Sequence, residues 1–285
     1  MARTVETFIA LGADIFALER LMRLLQAVGM IFTSYTGLIA LAQPSRSAAQ
    51  HLAARLTLVS LQDWLNVTRR SMRTFWFLRA FQGSYAQYTA TTAGPRGIED
   101  LLDVVAGSLL GVFGLLETAT LPDMLRIPGL AVFGPDETRR LNVQAQMCWF
   151  AALLAMVLSS GVKILRLLAE RAVPASADFG AESEDEKSGG GGSGSGSEKD
   201  GLVKREKKRQ AERKRKQDKE EAARKTNVQI AALTLKMVND ALDMVIPANI
   251  CGWSSFHPGQ VGVAMAVTSL ITLKGHWERC GRALA

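Results

Sequence analysis

The chain has 285 residues, an ordinary apolar content of 48% and a formal net charge of +7. Residues 202–226 contain 12 Lys/Arg and 5 Asp/Glu, so the remaining residues carry 22 charges of each sign and no net charge. This distribution excludes a generally basic surface. The three cysteines are far apart and lack the spacing of a metal site or a disulfide framework (Cys148, Cys251 and Cys280).

Residues 1–93 are predicted to form an N-terminal helical region with a break at Pro44. Within it, residues 24–42 carry no charge, and 19 residues are long enough for a membrane-spanning helix. Polar side chains such as Gln26 and Thr33 weaken that interpretation, so both a spanning helix and a packed helix remain open.

Residues 52–88 predict a basic amphipathic helix. At about 100° per residue, one apolar arc contains the residues expected to insert into a membrane: Val67, Phe75, Leu78, Phe81 and Tyr85. Arginines outside that arc are expected to contact lipid headgroups: Arg69, Arg70, Arg73 and Arg79. The alternative is an ordinary amphipathic helix that packs on its neighbours.

Residues 98–172 predict a hydrophobic helical hairpin after a glycine- and proline-containing loop at 91–97. The uncharged part of its first helix, residues 104–116, is short for a span. Gly107 and Gly111 form a GxxxG pattern that favours close helix packing. The second helix contains 22 uncharged residues, 141–162, and is the strongest spanning candidate. The basic residues after it predict a cytosolic end.

Residues 173–201 are acidic and then Gly/Ser-rich, which predicts a disordered linker. The basic tract at 202–226 mixes both charges with helix formers, so a solvated helix is expected. Contact with anionic lipid is an alternative for this tract. Nucleic-acid binding is disfavoured because no aromatic side chains interleave the basic residues.

The last part of the chain, residues 202–285, holds an unusual block at 239–277. It combines two acids three residues apart, an uncharged glycine-containing run from 259 to 273, and flanking tryptophans at 253 and 277, as at a membrane interface. We expect the two acids to cap a helix or face solvent at the edge of this segment. The positions that carry its pattern are Asp240, Asp243, Pro247, Gly252, Pro258, Gly259, Gly262 and Trp277.

This block resembles the C-terminal signature of the peroxin-11 family of fungal type. The resemblance implies an all-α, membrane-associated helical bundle with an amphipathic helix, a hydrophobic hairpin and a C-terminal membrane segment. It implies a peroxisomal membrane protein with both termini in the cytosol that promotes membrane curvature, elongation and division. The partners implied are anionic lipid, further copies of the chain, and a dynamin-type GTPase with its membrane receptor.

No catalytic constellation is visible, the three histidines are isolated, and no cofactor or metal is expected. A solute channel of the same membrane is the alternative function, and a peripheral helical adaptor is a third. The curvature hypothesis predicts that glutamates at Phe75, Leu78 and Phe81 abolish tubulation of anionic liposomes by this amphipathic segment.

Overall fold

The computed structural model describes residues 2–90, 97–172 and 198–284, and these residues form helices and turns without a strand. The prediction of an all-α fold is therefore confirmed. The helices in chain order are α1 (Ala2–Ala13), α2 (Ile15–Ser34), α3 (Thr36–Ala42), α4 (Ala48–Met72), α5 (Trp76–Ala90), α6 (Ile98–Ala119), α7 (Leu121–Met124), α8 (Pro135–Ala172), α9 (Glu198–Asp243), α10 (Val245–Ile250) and α11 (Pro258–Ala283).

The chain divides into two compact units, Met1–Ser159 with Met237–Ala285, and Ser160–Lys236. The second unit contains the end of α8 and most of α9, and Arg171 donates a hydrogen bond to the side-chain oxygen of Asn227 (2.9 Å). The basic tract lies in α9. Most of the expected linker, residues 173–197, lies outside the described residues, as does most of the expected loop, at 91–96.

The first unit is built on close helix pairs. Helix α2 packs along α11 and against α4, while α5 packs on α6. The buried positions are mostly small, which lets helix backbones approach closely. They include Ala17, Ala27, Ala106, Ala145 and Ala152.

Large apolar side chains lie on the surface instead. Leu154 and Leu158 of α8 are exposed, as are Val105 and Leu115 of α6. Extended exposed apolar surface is rare on soluble monomers and is typical of a membrane or protein interface.

Helices α6 and α8 are each long and apolar enough to cross a membrane. The predicted hydrophobic hairpin is therefore confirmed. The uncharged part of its first helix, residues 104–116, is ambiguous by length, and α6 reaches 22 residues because the helix continues into flanking residues that include acids. The two helices touch through stacked Phe113 and Trp149, whose ring centroids are 5.4 Å apart. Ser159 also donates to Asp103 (2.5 Å).

The uncharged run at 24–42 is not one straight helix. Helices α2 and α3 meet at Tyr35 with a bend of 99°, so together they are a third, broken candidate span. The C-terminal run at 259–273 lies in α11, which is not among the candidate spans in the described chain. Polar side chains such as Thr268 and Ser269 are fully buried in α11, which lies against α2.

Candidate functional site

The expected amphipathic helix at 52–88 is two helices with a break at residues 73–75. Neither proline nor glycine lies at the break. The hydroxyl of Thr74 donates to the Ser71 carbonyl (2.7 Å), and Thr118 of α6 donates to the Thr74 carbonyl (2.7 Å). Side-chain hydrogen bonds thus satisfy backbone groups that a continuous helix would have paired.

Arg69 lies inside the first unit, with only 8% of its side chain exposed. Its Nε donates to Oε1 of Glu19 (2.9 Å), and its Nη1 donates to Gln26 (2.5 Å). Burial lowers the pKa of the Arg69 guanidinium to about 10, while Glu19 opposes that shift. Arg69 therefore remains charged at neutral pH and neutralises a carboxylate that is itself buried.

Arg70 and Arg73 meet a second buried acid, Glu117 of α6. Arg73 Nη2 lies 3.1 Å from one carboxylate oxygen, and Arg70 Nε lies 3.5 Å from the other. Arg70 also donates to Asn142 of α8 (2.6 Å). Arg69, Arg70 and Arg73 thus join α4 to its neighbours, and their positions do not support the expectation that they contact lipid headgroups.

Arg79 differs from the other three arginines because it is exposed. Its guanidinium carbon lies 5.3 Å from the centroid of the Phe16 ring, within cation–π distance. It is the one arginine of the four whose charge faces the surface.

The five residues expected to insert into a membrane differ in how far they are exposed. Phe75, Leu78 and Tyr85 are exposed by 73%, 56% and 70%. Leu78 and Tyr85 are seven residues apart on one face of α5, and Phe75 lies just before that helix. Phe81 and Val67 are half-buried, and Phe81 packs on α6. The exposed apolar face of α5 is therefore formed by three of the five.

The glycine pattern of α6 lies beneath α5 of the same chain. A Cβ atom on Gly111 would come within 2.5 Å of the Phe81 ring, and one on Gly107 would collide with the hydroxyl of Ser84. That hydroxyl donates to the Val104 carbonyl (3.1 Å). Since α5 covers this face, it is not free for the self-association that a GxxxG pattern also suggests.

The two acids of the C-terminal block are buried, and not at a solvent edge as expected. Asp243 pairs with Arg23 of α2, and only 9% and 3% of these side chains are exposed. Arg23 also donates to Thr268 of α11 (3.4 Å). Asp240 is 8% exposed. Through Arg23, Asp243 therefore links the end of α9 to α2 and α11.

The other signature residues build the turn into α11 and its contact with α2. Gly252 has a φ of +75°, a conformation that favours glycine. A Cβ atom on Gly259 would collide with the Tyr35 ring, and one on Gly262 would come within 3.2 Å of the Ala27 carbonyl. Pro247 is buried in α10, Pro258 begins α11, and Trp277 is half-buried near its end.

The buried charges surround a cavity of about 290 Å³. Its walls combine four arginines and three acids with aromatic side chains, and Arg23 lies 6.0 Å from the centroid of Trp149. No group of three or more His, Cys, Asp or Glu residues able to hold a metal occurs in the described part of the chain. The charges pair with one another, so this cluster is suited to fastening helices together.

Sequence reasoning missed the acids of this cluster, Glu19 and Glu117. Glu117 follows an apolar run of α6, which is a usable signal, whereas Glu19 is followed by Arg20 and Arg23 in α2. An acid in such a position is costly unless a buried cation pairs with it.

Comparison with known proteins identifies the chain. A family model for peroxisomal biogenesis factor 11 (PEX11) matches residues 5–277, which is nearly the whole chain. No curated protein and no solved structure shows significant similarity. The family is one of peroxisome biogenesis factors and is not known as an enzyme family. The chain belongs to the PEX11 family and is a peroxisomal, membrane-associated protein involved in peroxisome proliferation.

Proposed function

We propose that the chain promotes curvature, elongation and division of the peroxisomal membrane by inserting the exposed apolar face of α5 into one leaflet. The observation that carries this proposal is the exposure of Phe75, Leu78 and Tyr85. An amphipathic helix lies in the interface with its apolar side about 5–10 Å deep. Because it expands the headgroup region of one leaflet, it favours positive curvature.

The buried arginines contribute by fixing the helix that inserts. Arg73 is the C-cap residue of α4, and its ion pair with Glu117 fixes the position of the break directly before α5. Because α5 is attached to the candidate spans, its insertion bends the membrane instead of ending in its release. Arg79, exposed on α5, supplies an attraction for anionic headgroups.

Several partners complete the proposal. Insertion by many copies would sum the curvature, so a homo-oligomer is expected. The family resemblance adds cytosolic termini and cooperation with a dynamin-type GTPase and its membrane receptor.

The test uses full-length protein in anionic liposomes. The α5 triple variant carries Phe75→Glu, Leu78→Glu and Tyr85→Glu, and it leaves Phe81 in place because Phe81 packs on α6. Each large apolar side chain is worth about 1.5–3 kcal/mol when fully buried, so at these exposures the three together contribute roughly 3–6 kcal/mol to insertion. We expect tubulation to be lost.

A matched control places the same substitutions on α4. Leu52, Leu56 and Val59 are exposed by 57%, 61% and 43% and are spaced along one face of that helix. The α4 triple variant, Leu52→Glu, Leu56→Glu and Val59→Glu, should retain tubulation. Tubulation by the α5 variant at the wild-type level would refute the insertion mechanism.

A further inference from the structure

A second concave site shares Arg70 with the ion-pair cluster and has no role in the function proposed above. It is a groove of about 790 Å³ between α4, the α6–α8 connection at residues 120–134 and the start of α8. We call it the interfacial groove. Its apolar walls include Trp64, Val67, Leu125 and Ile250.

The interfacial groove also holds basic side chains that face solvent. Arg126 and Arg139 line it and are exposed, and no hydrogen bond or ion pair joins either side chain to another described residue. Arg70, at the same groove, is held by Asn142 (2.6 Å). Two unpaired guanidinium groups beside an apolar wall favour a ligand that is both anionic and apolar.

The acids at the groove do not neutralise these arginines. Asp123 accepts hydrogen bonds from the backbone N–H groups of Val132 (3.2 Å), Phe133 (3.0 Å) and Gly134 (3.0 Å), so it is committed to shaping the connection. Asp63 is exposed.

The connection between α6 and α8 forms one wall of the groove. Helices α6 and α8 are candidate membrane spans, and a connection between two spanning helices lies at the membrane–water boundary, which is the depth of a lipid headgroup. The connection exposes Ile127 by 52% and Val132 by 68%, and Trp64 is exposed by 71%. Tryptophan is enriched at this depth because its ring is apolar and its N–H is polar.

Arg126 adopts a backbone conformation that an arginine rarely takes. Its φ of +54° is in the left-handed region, where the Cβ atom of an ordinary residue comes too close to the following carbonyl oxygen. Glycine would fit this position without that close contact. Arg126 thus offers a variant, Arg126→Gly, that removes the guanidinium while relaxing the backbone.

We propose that the interfacial groove binds an anionic phospholipid of the surrounding membrane, with its phosphate on Arg126 and Arg139 and an acyl chain along Trp64, Val67 and Ile250. The apolar wall favours a lipid over a free phosphate, which would leave that wall in water. This proposal requires the membrane location of the family and is independent of insertion by α5.

The experiment uses full-length protein in neutral detergent and two brominated lipids, phosphatidic acid and phosphatidylcholine. Bromine quenches a nearby tryptophan, and the Trp64 signal is the difference between wild type and Trp64→Phe. We expect saturable quenching by the phosphatidic acid. Arg126→Gln with Arg139→Gln should raise the half-saturating concentration about tenfold through loss of charge-assisted hydrogen bonds.

Controls separate the lipid from other ligands and from folding defects. Arg140→Gln should behave as wild type, because Arg140 is exposed, pairs with Glu137 and does not line the groove. Arg126→Gly should weaken quenching while helicity and thermal stability are kept. Equal quenching by phosphatidylcholine, competition by inorganic phosphate at lipid concentrations, or unchanged quenching in both Arg126 variants would overturn the proposal.

Discussion

Breaking the ion pairs of Glu19 should strongly destabilise the first unit. The Glu19 side chain is 1% exposed, and Arg69, Arg73 and Arg20 lie 2.8, 3.8 and 3.5 Å from its carboxylate oxygens. Glu19→Gln removes the negative charge and leaves these guanidinium groups facing one another. Loss of one partner from a buried ion pair costs about 3–5 kcal/mol.

The measurement is thermal unfolding of full-length protein in detergent, followed by circular dichroism. At about 2–4 °C per kcal/mol for a unit of this size, Glu19→Gln should lower Tm by roughly 10 °C. The matched control is Glu170→Gln, because Glu170 forms an exposed pair with Arg166 (60% and 65% exposed). It should change the free energy of unfolding by less than about 1 kcal/mol.

A double variant separates pairing from packing. Replacing Glu19 and Arg69 together with Met removes both charges and keeps the volume filled. It should recover much of the stability lost in Glu19→Gln. An unchanged Tm in Glu19→Gln would refute the claim that this cluster fastens α4 to α2.

Two further predictions concern packing and capping. Gly111→Leu should lower Tm markedly because the leucine side chain would displace Phe81. Gly161→Leu is the control, since Gly161 has open space at Cβ, and it should leave Tm unchanged. Equal changes in Tm would contradict the packing of α5 on α6. Asp14 caps α2 through the N–H of Phe16 (3.0 Å) and pairs with Arg279 of α11, so Asp14→Ala should cost about 1 kcal/mol. Burial raises the pKa of Asp14, but the hydrogen bonds from Phe16 and Arg279 lower it by more, so the net pKa lies below its usual 3.8. The stability that the Asp14 carboxylate contributes is therefore complete above pH 3.8 and is lost as the pH falls through the lower pKa of the folded state. The difference in Tm between wild type and Asp14→Ala should shrink in that range. A difference in Tm that does not change with pH would contradict this prediction.

Helix α8 was predictable because its 22 uncharged residues form one long apolar run, whereas the uncharged run of α6 has only 13 residues. The break at residues 73–75 was not predictable, because no proline or glycine marks it. The hydrogen bond that completes the break comes from Thr118, 44 residues away. A pattern confined to one helix contains no information about such a partner.

The ion-pair cluster was missed for the same reason. The arginines of α4 were interpreted by their position on a helical wheel, whereas their partners Glu19 and Glu117 lie on α2 and α6. The C-terminal run was ambiguous on different grounds. Small and apolar residues suit either lipid or a close helix partner, and Gly259 and Gly262 meet α2.

The central claim is that the exposed face of α5 drives division of peroxisomes. Its most direct test is to count peroxisomes in host cells that lack the gene and express wild type, the α5 triple variant or the α4 triple variant. All three proteins should reach peroxisomes. The account predicts that wild type and the α4 variant restore peroxisome number, while the α5 variant leaves few, enlarged peroxisomes. Restoration of normal number and size by the α5 variant would contradict it.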